Sequence, residues 1–302
     1  MGPPSRRSAL TPDVEAATAP TAPFLRLTTL WLQITGTWCN LQCTHCINAS
    51  GPTDPWLPSM DARSIRHAIR EAETLGVKEI YFTGGEPFLH PEILPLLNDS
   101  LAIAPTSVLT NGTRIDVRMA AALARLADEA AYSLDIRVSL DDVDEQRNDR
   151  IRGRGAWRKA VRAIRLLAEQ GILPIVTATE ILSGHEDSPG AGMYQQFRDF
   201  LLSLGIEKAR VKILPVFAAG RLAGTRDVRL IEADLDGFDR SRLQCADARV
   251  VAAGGVYACP ILAGLDGARL SSGRLAESFV PARLYHPACV TCRRTGMTCR
   301  NS

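Results

Sequence analysis

Six times between residues 30 and 214, a short strand-like run is followed by a segment patterned as a helix or by the next strand. Residues 30–35 (LWLQIT) read as a strand. Residues 61–75 carry apolar side chains at helical spacing, with Ser59 or Asp61 as N-cap and Gly76 as the stop. Strands follow at 79–83, 107–110, 133–140, 175–181 and 210–214. Helices are predicted at 91–103, 116–129, 156–170 (ended by Gly171) and 194–204. Such alternation predicts parallel strands covered by helices. Six units are too few for the usual eight-fold closure. The fold class expected is therefore α/β, a partial (β/α)6 TIM-type barrel. On such a scaffold functional residues collect where strands end and loops begin.

The rest of the 302 residues frames that core. The first 27, rich in Pro, Ala, Ser and Thr and without an apolar run of the signal-peptide kind, are expected to be a disordered tail. The barrel is assigned to 28–217. Beyond Pro215 the periodicity fails and Gly, Arg and Cys accumulate, so 218–302 is expected to be a small cysteine-rich domain cross-linked by metal, with its boundary near 218–236. A formal net charge of +2 gives no reason to expect nucleic acid as partner, and no apolar run reaches the length a membrane span needs. A cytoplasmic location is expected.

The eight cysteines fall into two groups with none between them. Close spacing without a secretory signal favours metal ligands over disulfides. In the first group Cys39, Cys43 and Cys46 are spaced C-x3-C-x2-C directly after the first strand. Three thiolates on one short loop suit three irons of a four-iron cluster and leave the fourth iron open to a small molecule. Zinc is the alternative, but a structural zinc site takes four ligands. His45 is a fourth donor in principle, although its place beside Cys46 should turn it away from a shared centre.

The triplet after a first strand resembles the signature of the radical S-adenosylmethionine (radical SAM) superfamily, with His45 where that family usually has an aromatic residue. Gly84-Gly85-Glu86-Pro87 at the end of the second strand is similar to the family's GGEP motif, which implies that it holds the amino group of the cofactor's methionine portion. Glycines let backbone approach closely and Pro87 fixes the turn. By the same resemblance Asn111 and Ser139, at the ends of the third and fourth strands, line the cofactor cavity, and Arg152 pairs with the cofactor carboxylate. The implied cofactors are a 4Fe–4S cluster with S-adenosylmethionine, cleaved to a 5′-deoxyadenosyl radical that takes hydrogen from substrate. The implied partner is a reductase such as flavodoxin or ferredoxin.

In the second group Cys245 and Cys259 precede Cys289-x2-Cys292 and Cys299. This resembles the twitch and SPASM-like extensions of the same superfamily. The resemblance implies one auxiliary 4Fe–4S cluster held by Cys245, Cys259, Cys289 and Cys292. Cys299 is left over as a candidate hydrogen donor, and a zinc-ribbon-like knot is the alternative. A carbon radical beside a hydroxyl becomes a ketone by losing an electron and a proton, or an epimer by taking hydrogen from a thiol. A small polar substrate is therefore expected, such as a sugar, aminocyclitol or aminoglycoside in natural-product biosynthesis. The short stretch before the first strand argues the same way, since peptide-modifying relatives commonly carry a recognition domain there. Glu180 and Lys212 are candidate substrate contacts. Modification of a ribosomal peptide, and a non-catalytic iron–sulfur or zinc protein, are the alternatives.

Overall fold

The computed structural model describes residues 19–53, 55–180, 191–208 and 210–296. Cys299 and Ile181 lie outside them. Six strands run parallel and in sequence order: β2 (Thr29–Gln33), β3 (Glu79–Thr83), β4 (Thr106–Thr110), β5 (Leu134–Ser139), β6 (Ile175–Glu180) and β7 (Arg210–Pro215). They form the partial barrel. Its helices are α1 (Ala62–Thr74), α2 (Ile93–Leu101), α3 (Val117–Glu129), the short α4 (Glu145–Arg152), α5 (Ala156–Glu169) and α6 (Ala191–Ser203). Asp61, not Ser59, caps α1: its carboxylate accepts the Ser64 N–H at 2.8 Å. Asp116 and Asp144 do the same for α3 and α4. The helix α4 has no long apolar stripe, and periodicity did not reveal it. Among the described residues no helix is long and apolar enough to cross a membrane.

Strand alternation separates two environments. Leu30, Leu32, Ile80, Phe82, Ile136, Val138, Val176 and Ala178 pack against the helical layer. The intervening residues face the other side, where Trp31 stacks on Tyr81 at 4.2 Å between centroids. Further round that inner wall stand Arg137, fully buried, and Thr177 beside it (Nε to Oγ1 3.4 Å). Lys212 is in register with Thr177.

Two expectations about organisation are corrected. No break in the sheet separates 218–302 from the barrel. Strand β8 (Ala248–Ala252) pairs in parallel with β2, and β9 (Gly255–Tyr257) and β10 (Arg269–Ser271) continue antiparallel, giving one nine-stranded sheet. The exposed edge of the first strand is thereby covered, which removes an unpaired row of N–H and C=O groups. The expected tail also does not extend to residue 27. Strand β1 (Thr21–Ala22) pairs with β11 (Ala282–Arg283), and Phe24 stacks on Phe279 at 4.7 Å and lies under the Arg249 guanidinium. The last described helix is α7 (Pro287–Thr295).

Candidate active site

The loop after β2 carries the thiol triplet to the C-terminal mouth of the barrel. Three contacts hold it. The Gly51 N–H donates to the Thr37 carbonyl at 3.1 Å, and the Cys39 N–H donates to the Gly51 carbonyl at 3.0 Å. The Glu86 N–H donates to the Trp38 carbonyl at 3.0 Å. Any side chain at Gly85 would place its Cβ 2.0 Å from that same Trp38 oxygen, and one at Gly84 would meet Thr35 Oγ1 at 2.1 Å. The Gly-Gly pair is thus required for the end of β3 to close on the cysteine loop.

Cys39, Cys43 and Cys46 lie close enough for each thiol's charge to act on another. Cys39 is buried, and burial pushes its thiol up to about 12, with the charges of Glu86, Cys43 and Cys46 adding to the rise. Burial also raises Cys43, against the pull of Arg152 and with a push from Cys46. Ligation demands thiolates, so a cation must displace these protons on binding. Donors for sulfur are already in place. Leu41 N–H reaches Cys39 Sγ at 3.4 Å, Asn111 Nδ2 the same sulfur at 3.6 Å, and Ser50 N–H reaches Cys46 Sγ at 3.3 Å.

Glu86 is wholly buried. Its Oε1 accepts from Thr110 Oγ1 at 2.7 Å and the Phe88 N–H at 3.1 Å, and its Oε2 from the Asn111 N–H at 2.7 Å. Burial raises its pKa to about 7 against those donors and Arg114. Pro87 opens the buried turn Pro87–Leu89 that Glu86 caps. Asn111 is buried as well, bridging Cys39 and Asn40 Oδ1 (3.0 Å). Ser139 ends β5, half-buried and in register with Thr177 on the inner wall.

Arg152 is buried beside the cysteine loop. Its carboxylate partner is inside the protein: Nε lies 2.7 Å from Asp141 Oδ2. Asp141 also takes His45 Nε2 at 3.1 Å and accepts the Thr179 N–H at 2.9 Å. Burial pushes the Asp141 carboxyl up, but Arg152, His45 and that N–H outweigh it and hold it well below the usual range. His45 turns from the thiols to Asp141, as its position beside Cys46 implied. Asp141 itself was missed, although it stands two residues after Ser139 at a strand end, where the barrel rule directs attention. Arg221 was missed too. Its guanidinium donates to the carbonyls of Cys43 (2.7 Å), Ser50 (2.5 Å) and Ala49 (3.3 Å).

The second cysteine group comes from three separate segments. Cys245 lies in the turn before β8, Cys259 follows β9, and Cys289 and Cys292 stand one turn apart on α7. Burial drives the Cys245 and Cys289 thiols up to about 12. Cys289 adds to the rise at Cys245, and Cys259 to that at Cys289. Arg249, fully buried, donates to the carbonyls of Cys245, Ala248, Ser278 and Val280 at 2.7–2.9 Å. Among the described residues no three His, Cys, Asp or Glu side chains are gathered closely enough to hold a single metal ion.

Fold and site together define an enzyme of the partial-barrel class. The chain belongs to the radical SAM superfamily, whose family model matches residues 34–190, just over half of its length. Membership implies a 4Fe–4S cluster and S-adenosylmethionine. The mycofactocin maturase MftC of Mycobacterium ulcerans is 36% identical over 134 residues, 44% of this chain and 34% of that protein. A GTP 3′,8-cyclase of Chlorobaculum tepidum is 26% identical over 200 residues, 65% of this chain and 58% of the cyclase. The chain therefore spans about a third to somewhat over half of the length of these relatives. Two solved structures share the fold. Native anSMEcpe with bound AdoMet has a TM-score of 0.59 at 18% identity, covering 83% of this chain and 80% of that one. SuiB of Streptococcus suis bound to S-adenosylmethionine has 0.57 at 14%, covering 86% and 67%.

Proposed function

We propose that Cys39, Cys43 and Cys46 ligate a 4Fe–4S cluster whose open iron receives S-adenosylmethionine, and that this site initiates a radical reaction on a bound substrate. The observation that carries the reading is a C-x3-C-x2-C loop at the barrel mouth with N–H donors on the sulfurs of Cys39 and Cys46. When bound, the pair supplies reductive cleavage of the cofactor's carbon–sulfur bond and hydrogen-atom abstraction. The chain's own residues position it. N–H groups of Leu41, Ser50 and Asn111 stabilise negative charge on sulfur. Glu86, through Thr110 and Asn111, locks the ends of β3 and β4 beside it. Ser139 on the inner wall and Gly84–Pro87 at the rim are assigned to the cofactor's polar ends.

Cys245, Cys259, Cys289 and Cys292 are proposed to hold one auxiliary 4Fe–4S cluster. A zinc site built on the same thiols is the alternative. For the substrate, similarity to a protein named as a maturase favours modification of a ribosomal peptide. The second reading is epimerisation or dehydrogenation of a small polar molecule such as a sugar or aminocyclitol. It is favoured by half-buried Lys212 and buried Arg137, which share the inner wall, and by half-buried Glu180 at the end of β6.

Anaerobic reconstitution, an iron count and assay of 5′-deoxyadenosine with dithionite test the reaction class. Full iron loading with no nucleoside formed would sink the proposal. Turnover in deuterated water with candidate peptides and aminocyclitols separates the substrate readings by which product carries label or loses two mass units.

A further inference from the structure

The proposed cluster must be reduced by one electron from outside, and electron transfer between proteins falls steeply with distance. We infer that the cationic surface formed by α4, α5 and Arg114 ahead of α3, at the rim of the cysteine loop, docks an acidic one-electron carrier protein. This inference rests on the reading that the loop holds a cluster.

The first argument is access. Asn40, Gln42 and Thr44 are exposed, while Cys39 is buried and Cys43 and Cys46 are half-buried, so the thiol loop itself reaches the surface. The rim on either side is basic. Asn40 Nδ2 donates to Thr113 Oγ1 at 2.7 Å, and the next residue is exposed Arg114. Thr44 N–H donates to the Ile151 carbonyl at 2.9 Å, between exposed Arg150 and Arg154.

The second argument is charge that nothing internal consumes. Residues 145–169 contain eight Arg or Lys against three Asp or Glu, a surplus of five where the whole chain has two. Glu145 is spent on Arg158 at 2.7 Å, and Asp149 on the N–H groups of Gly155 and Trp157 that open α5. Arg147 pairs with Asp142 and Arg152 turns inward to Asp141. Arg150, Arg154, Lys159, Arg162 and Arg165 remain exposed, with no ion pair among the described residues. Arg158, Arg162 and Arg165 share one face of α5, while Ala160, Val161, Ile164 and Leu167 occupy the buried one. Like charges at this spacing disfavour a helix, so helix stability does not account for them.

The third argument concerns what kind of polyanion fits. No aromatic side chain stands exposed on α5 to stack a base: Trp157 is half-buried against Phe200. Nor does the face combine cations with an exposed apolar stripe, as a membrane-surface helix does. A charged, non-apolar face suits a transient acidic protein, steered by long-range attraction and released readily. One electron leaves the carrier for each electron the site accepts.

The test compares the parent with the triple variant Arg154→Glu, Lys159→Glu, Arg162→Glu, both reconstituted with iron. Cofactor cleavage is driven either by dithionite or by a purified acidic flavodoxin with its NADPH-dependent reductase. Dithionite-driven cleavage should stay within about twofold of the parent, while the flavodoxin-driven rate should fall about tenfold or more. Raising salt from about 0.05 to 0.3 M should slow only the parent's flavodoxin-driven rate, because exposed charges are screened. Equal flavodoxin-driven rates in parent and variant would overturn the inference. So would charge-dependent binding of an oligonucleotide or phosphatidylglycerol vesicles that flavodoxin fails to displace. If dithionite yields no cleavage in the iron-loaded parent, it is the proposed function that fails. Direct titration of flavodoxin onto parent and variant then still decides the docking surface.

Discussion

Arg221 Nη1 donates to the carbonyl oxygen of Cys43 at 2.7 Å, joining residues 178 positions apart in the chain. The same guanidinium takes the carbonyls of Ala49 and Ser50, and its own N–H donates to the Cys46 carbonyl at 3.0 Å. The segment that leaves the barrel therefore clamps the loop proposed to hold the cluster. Replacing Arg221 by Met should cost about 2–4 kcal/mol, since hydrogen bonds to a charged donor contribute about 1.5–3 kcal/mol each and water replaces some of them. Arg221→Lys should recover only part of this, because an ammonium cannot reproduce the planar fork. Urea midpoints measure the stability. Iron release to a chelator should be faster in both variants, and an unchanged release rate would remove the clamp from the account.

The Asp141 carboxylate carries the charge balance on the other side of the loop. Asp141→Asn leaves the buried Arg152 cation without its partner, and should cost about 3–5 kcal/mol. Adding Arg152→Met should restore much of the loss, because the uncompensated charge goes with it. The sign with pH is fixed by the lowered pKa. Stability from this group is present above its ordinary value of 3.8 and is lost only as acid drives the pH well below it. Thermal melts of the parent and both variants at neutral pH check the energies.

Local order was readable where the physics is local. Strand and helix periodicity located the six barrel strands and five of the helices, and turn glycines marked their ends. The triplet and the Gly-Gly-Glu-Pro turn were legible because spacing alone carries their chemistry. What escaped depends on contacts between distant segments. The pairing of β8 with β2 rests on four register positions from Thr29–Ala248 to Leu32–Val251, in a five-residue run with no helical or alternating neighbours to announce it. Asp141, His45 and Arg152 form one network only because the ends of β5 and α4 meet the cysteine loop. Nothing in their spacing says which charge each will find. The same holds for Arg249, whose four carbonyl acceptors come from residues 245–280.

Glu86 sets a pH dependence of the opposite sense. Its pKa is raised to about 7 by burial, so the folded protein takes up a proton that the unfolded chain, at about 4.5, does not. Its contribution is full below pH 4.5 and is lost as pH rises through 7. Between pH 5 and 8 the parent should lose stability by an amount on the order of 2–3 kcal/mol from this group. Glu86→Gln should flatten that slope. It should also lower stability at every pH by about 1–3 kcal/mol, since an amide offers one acceptor where Thr110, Phe88 and Asn111 present three donors. Denaturation midpoints across that range give the result, and a slope unchanged by the substitution would show that Glu86 does not titrate there.

The two thiol groups make separable demands on iron. Cys289 and Cys292 lie on one helix, remote in sequence from the barrel-mouth loop. Substituting both by Ala should reduce iron in the reconstituted protein from about eight to about four per chain, the content of two clusters against one. The variant should still cleave S-adenosylmethionine, because Cys39, Cys43 and Cys46 are untouched. Turnover of substrate should fall far more than cofactor cleavage, which would place the auxiliary site after cleavage in the reaction. The converse variant, Cys39→Ala with Cys43→Ala, should keep about four irons and form no 5′-deoxyadenosine. Folding must be checked in both, since burying Cys289 and Cys292 also contributes to the apolar clusters of the C-terminal region. If the first variant retains about eight irons, the C-terminal thiols bind no cluster, and the four-cysteine assignment is withdrawn while the barrel-mouth site stands.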